Sequence, residues 1–165
     1  MSFIKKYGPY LSIALVVLAL GFLFLPYVRT GFNNEYFAIG YTAIFNIKES
    51  NIPSTVTSKG GPSGLLITAV VLMVIAAGGL PFFRKDVVIA FIAGIVLSVS
   101  GVVLFLAHVI LFVNLRGAAI NGTFGLYLVA SLVTLAGVSS LLAGIQYLKD
   151  SRKIAADKGY SYIRK

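Results

Sequence analysis

Four long stretches of the chain contain no Asp, Glu, Lys or Arg, and this feature limits the possible folds more than any other. They cover residues 10–28, 64–83, 87–113 and 124–148. The hydrocarbon core of a bilayer is about 30 Å thick, and a helix needs roughly 20 apolar residues to cross it. Only a helix or a closed barrel satisfies its own backbone hydrogen bonds there. The sequence predicts an all-α membrane protein, a four-transmembrane-helix bundle forming one domain over residues 1–165.

The composition agrees with burial in lipid. Hydrophobic residues make up 58% of the chain and charged residues 12%, which leaves too little polar surface for a domain surrounded by water. The net charge of +9 could indicate a nucleic-acid partner, but the basic residues flank the apolar stretches. We therefore expect the lipid bilayer, including anionic lipids, as the partner of these charges, and no nucleic acid. The chain has no cysteine, so it offers neither a disulfide nor a thiolate ligand.

The basic residues also predict an orientation, because Lys and Arg are retained on the cytoplasmic side during insertion. On one side of the four stretches lie Lys5, Lys6, Arg84, Lys85, Lys149, Arg152, Lys153, Lys158, Arg164 and Lys165. On the other side lie only Arg29, Lys48, Lys59 and Arg116. This asymmetry places both termini in the cytoplasm of a cell with the protein in its plasma membrane.

The turn between the second and third stretches is short. Residues 81–86 leave room only for an antiparallel pair of helices, and Gly78, Gly79 and Pro81 are typical of a helix end.

The loop of residues 29–63 is predicted to contain a small extracellular β-hairpin or sheet element between the first two helices. From Phe37 to Ile47 apolar residues alternate with smaller ones, the period of a strand with one apolar face. A second, weaker strand is expected over residues 54–58, and residues 114–123 could form a turn or a further strand. The candidate interaction surface on the first strand consists of Phe37, Ile39, Tyr41, Phe45 and Ile47. Either the outer helix ends or a binding partner would cover it.

Small residues recur four positions apart in the last two stretches, a spacing that lets helix backbones approach in lipid. One line consists of Ala90, Gly94 and Ser98, and the other of Ala136, Ser140 and Gly144. These candidate packing residues would meet inside one bundle or contact another subunit.

Residues able to carry out chemistry are few. His108 is the only histidine, and it lies within the third stretch, where a polar group is either hydrogen-bonded between helices or part of a proton relay. Asp86, Asp150 and Asp157 lie in basic segments, so no pair of carboxylates is expected within the bilayer. Serines in the third and fourth stretches lack a base on the same helix face. We therefore expect no enzyme, no cofactor and no metal site.

The segment of residues 149–165 mixes basic residues with Tyr160, Tyr162 and Ile163. That pattern suits a cytoplasmic basic tail, either as a short helix on anionic lipid or as a disordered segment.

The order of these parts resembles the tetraspan layout of the claudins and the peripheral myelin proteins, which have a large outer loop with strands after the first span. The claudin signature of tryptophans and two cysteines is missing, since the chain has neither residue. It is also similar to small bacterial four-span membrane proteins of uncharacterised function. The residues carrying that similarity are Leu25-Pro26-Tyr27 and Gly125-Leu126-Tyr127-Leu128. Both resemblances imply a fold and no activity.

The leading hypothesis for function is a non-enzymatic membrane scaffold or accessory subunit. Its external β element would bind another membrane protein or form a homo-oligomer. The alternative is a channel or transporter subunit with a pathway between protomers, because spans without charge leave little polar lining inside one chain.

The predicted orientation can be tested by cysteine labelling, because the chain has no cysteine of its own. Cysteines at Ser2, Arg84 and Ser161 should be protected from a membrane-impermeant thiol reagent in intact cells, whereas one at Ser50 should react. Permeabilised cells serve as the control in which all four react. Reaction at Arg84 in sealed cells would contradict the orientation inferred from the basic residues.

Overall fold

The computed structural model describes residues 3–30, 36–45, 63–84, 87–114 and 120–157. The elements in chain order are α1 (Phe3–Phe22), β1 (Pro26–Thr30), β2 (Tyr36–Ile39), α2 (Gly40–Phe45), α3 (Gly64–Gly79), a 3₁₀ helix (Leu80–Arg84), α4 (Val87–Phe105), α5 (Ala107–Asn114), β3 (Ile120–Gly122) and α6 (Phe124–Asp157). The predicted second strand at residues 54–58 lies outside the described residues.

Three helical segments are long and apolar enough to cross a membrane. They are Gly64–Phe82, Val88–Phe105 and Phe124–Lys153. Many of their large apolar side chains point away from the protein, as Ile75 does with 63% of its surface exposed and Val99 with 58%. Such surfaces are stable only against an apolar solvent. The structure therefore supports a membrane-embedded protein.

The first predicted span, residues 10–28, is wrong at both ends. Helix α1 begins at Phe3 and ends at Phe22, and its apolar part, Lys6–Phe22, is shorter than the other three. The helix stops ahead of Pro26 because proline has no N–H for the helix and disfavours helical backbone in the preceding residue. The next residues form the strand β1 instead.

Helix α6 is the centre of the bundle. It packs against α4 on one side and α1 on another, and α3 packs mainly against α4. The carbonyl of Ala90 in α4 accepts a hydrogen bond from the Ser140 hydroxyl at 2.7 Å. A Cβ added to Gly94 would lie 2.6 Å from Leu141 Cγ and 2.8 Å from Leu141 N, so the α4 and α6 backbones are closely apposed.

Two predicted span boundaries also differ from the structure. The stretch of residues 87–113 is divided at Leu106 into α4 and α5. The Leu106 N–H still donates to the Val102 carbonyl at 3.2 Å, so the helical hydrogen bonding continues up to the break. The stretch that begins at Phe124 continues as one helix to Asp157, so the first part of the basic tail is an extension of α6 and not a separate interfacial helix. By contrast, α3 ends at Gly79 as the glycines predict.

The three strands form one antiparallel sheet in the order β2-β1-β3. In the register Arg29 pairs with Phe37 of β2 and with Asn121 of β3. The sheet is therefore not confined to the loop between the first two helices. It takes β1 from residues predicted to end a span, and β3 from the link before α6, where a turn or a strand was expected.

The predicted long strand from Phe37 to Ile47 is wrong beyond Ile39. Gly40–Phe45 is the short helix α2, and Ile47 lies outside the described residues. Gly40 and Ile44, which a strand would turn outward, are both buried, and the Tyr41 and Phe45 rings meet with their centroids 5.2 Å apart. Both pairs are four residues apart, the spacing that lies on one face of a helix. Burial of Ile44 thus stabilises a helix where alternation alone indicated a strand.

The close approach of α4 and α6 predicts different effects for two helical glycines. Gly94→Ala should lower the melting temperature of the purified protein, since the new methyl group meets the backbone of Leu141, at a cost of roughly 1–3 kcal/mol. Gly21→Ala is the matched control, because nothing lies within 4 Å of its added Cβ. It should leave stability unchanged or raise it by up to about 1 kcal/mol. Equal melting temperatures for the two variants would contradict the packing described.

Candidate functional site

The sheet is attached to the first turn of α6. The Thr123 N–H donates to the Tyr27 carbonyl at 3.0 Å, and the Thr123 hydroxyl donates to the Pro26 carbonyl. A Cβ added to Gly125 would collide with that Pro26 carbonyl, so glycine is required where β1 crosses α6. Strand β1, which follows α1 in the chain, is therefore in direct contact with α6, the longest helix.

Helix α2 is attached in the same way to the end of α1. The Gly40 N–H donates to the Leu25 carbonyl at 3.3 Å and the Tyr41 N–H to the Leu23 carbonyl at 3.1 Å. A Cβ on Gly40 would lie 2.9 Å from the Leu23 oxygen, so this contact also requires a glycine. Backbone groups left unpaired where α1 ends are satisfied by α2.

The inner side of this assembly is apolar and buried. Tyr27 and Ile44 have no exposed surface, and Leu23 is 6% exposed. All three belong to the same hydrophobic core as the helices. The sheet and α2 thus cover the end of the bundle with their own apolar side chains.

Three aromatic residues on the outer side form what we call the aromatic patch: Phe24, Tyr41 and Phe45. Phe24 is 69% exposed and Tyr41 44% exposed. Their rings are stacked with centroids 6.4 Å apart, and Tyr41 also contacts Phe45. Exposed, rigid aromatic side chains are typical of surfaces that bind another protein.

The aromatic patch overlaps only partly with the interaction surface predicted from the sequence. Tyr41 and Phe45 belong to both, and Ile39 is half-buried beside them. The backbone of Phe37 lies in β2, but its side chain and Ile47 lie outside the described part of the chain. Phe24 was missed because it was assigned to a span. Its position two residues before Pro26 was the available signal that it follows the helix.

Arg29 lies at a second feature of the sheet, a pair of adjoining cavities at the start of α6. The larger has a volume of about 410 Å³ and is lined by Arg29, Asn121, Gly122, Thr123 and Phe124. The smaller, about 260 Å³, shares Arg29, Thr123 and Phe124 with it. An exposed guanidinium beside an exposed phenylalanine can hold a carboxylate or a polar backbone of a binding partner.

The small residues predicted to pack helices lie mostly at the α4–α6 contact. Besides Ala90, Ser140 and Gly94, described above, the Ser98 hydroxyl is buried beside Gly137 without a hydrogen-bond partner. Gly144 faces Phe91, whose atoms would be 3.5 Å from an added Cβ. The structure thus brings the two lines of small residues together within one chain, with the exception of Ala136.

Ala136 lies on the side of α6 that contacts α1, in a polar cluster that the sequence did not indicate as a unit. Its carbonyl accepts a hydrogen bond from Ser12 at 2.7 Å. The hydroxyl oxygens of Ser12 and Ser139 are 2.6 Å apart, and both lie near the Gly8 carbonyl. The four-residue spacing of Gly8 and Ser12 was the signal for this contact.

The candidates for chemistry do not form a catalytic group in the part of the chain that the structure describes. His108 lies in α5, and its side chain is outside that part. Among the described residues no three His, Cys, Asp or Glu side chains are close enough together to hold a metal ion. The hydroxyls of Ser139 and Ser140 donate to backbone carbonyls, as serines that pack helices do.

No model of a protein family, no curated protein and no solved structure matches this chain. The claudin-like layout therefore stays a prediction, and the site has to be interpreted from its own geometry.

The Tyr27 hydroxyl is buried without a hydrogen-bond partner, and burial raises the pKa of this phenol. Removing an unpaired buried hydroxyl relieves a desolvation cost on the order of 1 kcal/mol. Tyr27→Phe should therefore keep or raise the melting temperature of the purified protein. Tyr41→Phe is the control on the exposed side, with no change expected. A lower melting temperature for Tyr27→Phe would mean that the hydroxyl has a partner.

Proposed function

We propose that the protein is a non-enzymatic scaffold or accessory subunit of the cell membrane. It crosses the bilayer four times and uses its aromatic patch to bind another membrane protein or a second copy of itself. The observation that carries the proposal is the exposed stack of Phe24 and Tyr41 on backbone that is fixed to the bundle.

The fourth span in this proposal is α1. It packs against α6 at the Ser12–Ser139 contact, and the strand β1 that follows it meets α6 at the Pro26–Gly125 contact. Helix α1 therefore lies beside a helix long enough to cross the bilayer. Its apolar part, Lys6–Phe22, is about 25 Å long, a little less than a hydrocarbon core of about 30 Å. Either a local thinning of the bilayer or extension of the Lys6 side chain toward the membrane surface accommodates such a difference.

The proposed orientation has both termini in the cytoplasm and the sheet outside. Helix α1 and the 3₁₀ helix are in contact, and α1 is antiparallel to α6, so the basic residues of these elements gather at the end of the bundle opposite the sheet. Lys149, Arg152 and Lys153 are exposed there. The clustering supports a cytoplasmic, anionic-lipid-facing end.

A binding role for the aromatic patch follows from its rigidity. Gly40 and Tyr41 donate backbone hydrogen bonds to the end of α1, so the patch loses little conformational freedom when a partner binds. The cavities lined by Arg29 lie at the strand β1, which follows Phe24 in the chain, and offer a separate place for a polar or acidic group of the partner.

The channel alternative would need a pathway between copies of the chain. The bundle core is filled with buried apolar side chains such as Met73, Leu97 and Val133, and no described feature lines a pore within it. Ion flux through liposomes containing the purified protein would support that alternative, whereas the scaffold proposal expects none.

Two substitutions on α2 test the proposed surface. Tyr41→Asp changes the exposed patch and should dissociate complexes extracted in mild detergent while leaving the melting temperature of the monomer nearly unchanged. Ile44→Asp, three residues along, buries an unpaired charge and should lower the melting temperature of the monomer markedly, since its stability falls by roughly several kcal/mol. Assembly mass is measured by light scattering in the same detergent.

Complexes that keep their mass with Tyr41→Asp would contradict the proposal. So would a fall in monomer stability as large as that of Ile44→Asp, because it would mean that the chain itself covers the patch. In that case the aromatic residues serve only to close the end of the bundle.

A further inference from the structure

A groove on the surface of the bundle lies between the last two turns of α3 and the first turns of α4. Its volume is about 240 Å³. Its walls include Leu72, Ile75, Gly79, Ile89, Ile92 and Val96. Ile75 and Ile92 are 63% and 55% exposed, so the groove opens toward the surrounding lipid.

The groove exists because α3 and α4 separate at Gly79. A Cβ added to Gly79 would meet only Ile89 Cγ2, at an ordinary contact distance of 3.8 Å. At Gly94, by contrast, α4 is so close to α6 that an added Cβ would collide with the Leu141 backbone. The helices are therefore in close contact at Gly94, whereas Gly79 leaves an open groove between α3 and α4.

The groove is short enough to lie within one leaflet. From Leu72 to Gly79 a helix rises about 10 Å, and each leaflet contributes roughly half of a core about 30 Å thick. A lipid acyl chain that enters from the membrane surface at the Gly79 end would lie within its own leaflet. The aliphatic walls offer such a chain contacts on both sides.

Positive charge lies at the same end. The groove stops at the 3₁₀ helix Leu80–Arg84, and Lys85 and Asp86 follow in the sequence. Helix α1, which carries Lys5 and Lys6 near its start, packs against this 3₁₀ helix. The 3₁₀ helix and the first turn of α1 contain three basic residues, Arg84, Lys5 and Lys6, and no acidic residue, so their net charge favours an anionic group at the mouth of the groove.

We propose that the α3–α4 groove is a binding site for an anionic phospholipid. One acyl chain occupies the groove, and the phosphate lies at the end of the bundle formed by the 3₁₀ helix and the start of α1. This site is at the opposite end of the bundle from the aromatic patch and does not depend on the proposed protein partner.

The test uses tryptophan fluorescence, because the chain contains no tryptophan. Ile75→Trp places the reporter in the groove, and Val74→Trp places it one residue away, at nearly the same depth and outside the groove. Both positions are exposed, Ile75 at 63% and Val74 at 47%. The vesicles contain phosphatidylcholine with a minor fraction of phosphatidylglycerol brominated on its acyl chains, which quench nearby tryptophan.

The expected result is stronger quenching at position 75 than at 74 with brominated phosphatidylglycerol, and loss of that difference when bromine is moved to phosphatidylcholine. Gly79→Leu, which fills the groove, should abolish the preference at position 75. Gly78→Leu is the matched control and should keep it, because an added Cβ there has nothing within 4 Å. Replacing both Arg84 and Lys85 with Gln should remove the preference for phosphatidylglycerol.

Equal quenching at positions 74 and 75 would overturn the site, because ordinary surrounding lipid quenches both. A preference that survives Gly79→Leu would overturn the groove as its location. The unmodified protein in detergent provides an independent measurement, with a larger rise in melting temperature expected from added phosphatidylglycerol than from phosphatidylcholine. Equal rises would overturn the selectivity for an anionic head group.

Discussion

The contact between α4 and α6 is the interaction on which the rest of the structure depends. Lipid gives apolar helices little hydrophobic reason to associate, so packing and hydrogen bonds between backbones have to hold them together. Gly94 and Gly137 allow the two backbones to approach, and Ser140 adds a hydrogen bond to the Ala90 carbonyl. A pair of hydrogen-bonded serines attaches α1 to another side of α6. Helix α6 thereby becomes the common support of the bundle, and larger side chains at these positions would separate its neighbours from it.

The sheet follows from the same arrangement. Because α1 and α6 are antiparallel neighbours, the chain leaving α1 arrives beside the first turn of α6, where Pro26 stops the helix and Gly125 leaves room for β1. Strand β1 can then pair with β2 on one side and β3 on the other, which satisfies backbone groups that would be costly to leave unpaired beside lipid. Sheet and α2 fill the end of the bundle with Tyr27 and Ile44 and leave other aromatic rings exposed. The aromatic patch is thus a product of the way the bundle is closed.

The sequence predicted where the last three apolar helical stretches begin, because the signal of a span adds up over about 20 apolar positions. The end of α3 was predictable too, since Pro81 lacks the N–H that a continued α-helix would need. The prediction failed where local patterns are ambiguous. Alternating apolar residues after Phe37 fit a strand, but Gly40 and Ile44 also fit one helix face, and only the presence of the core decides between them. The pairing of β1 with β3 joins residues at least 90 positions apart, and a single sequence holds no direct record of such a contact.

The two proposed sites differ in how they could influence each other. The aromatic patch belongs to the end of α1 and to α2, whereas the groove lies between α3 and α4 near the opposite end of the bundle. Helix α3 has only small contacts with α1 and α2 and packs mainly against α4, so a change in the groove would reach the patch mainly through the α4–α6 contact. That contact is close-packed around Gly94 and leaves no free space for a second arrangement. Transmission between distant sites requires an element with two stable positions. The two proposed sites should therefore bind their lipid and protein ligands independently of each other.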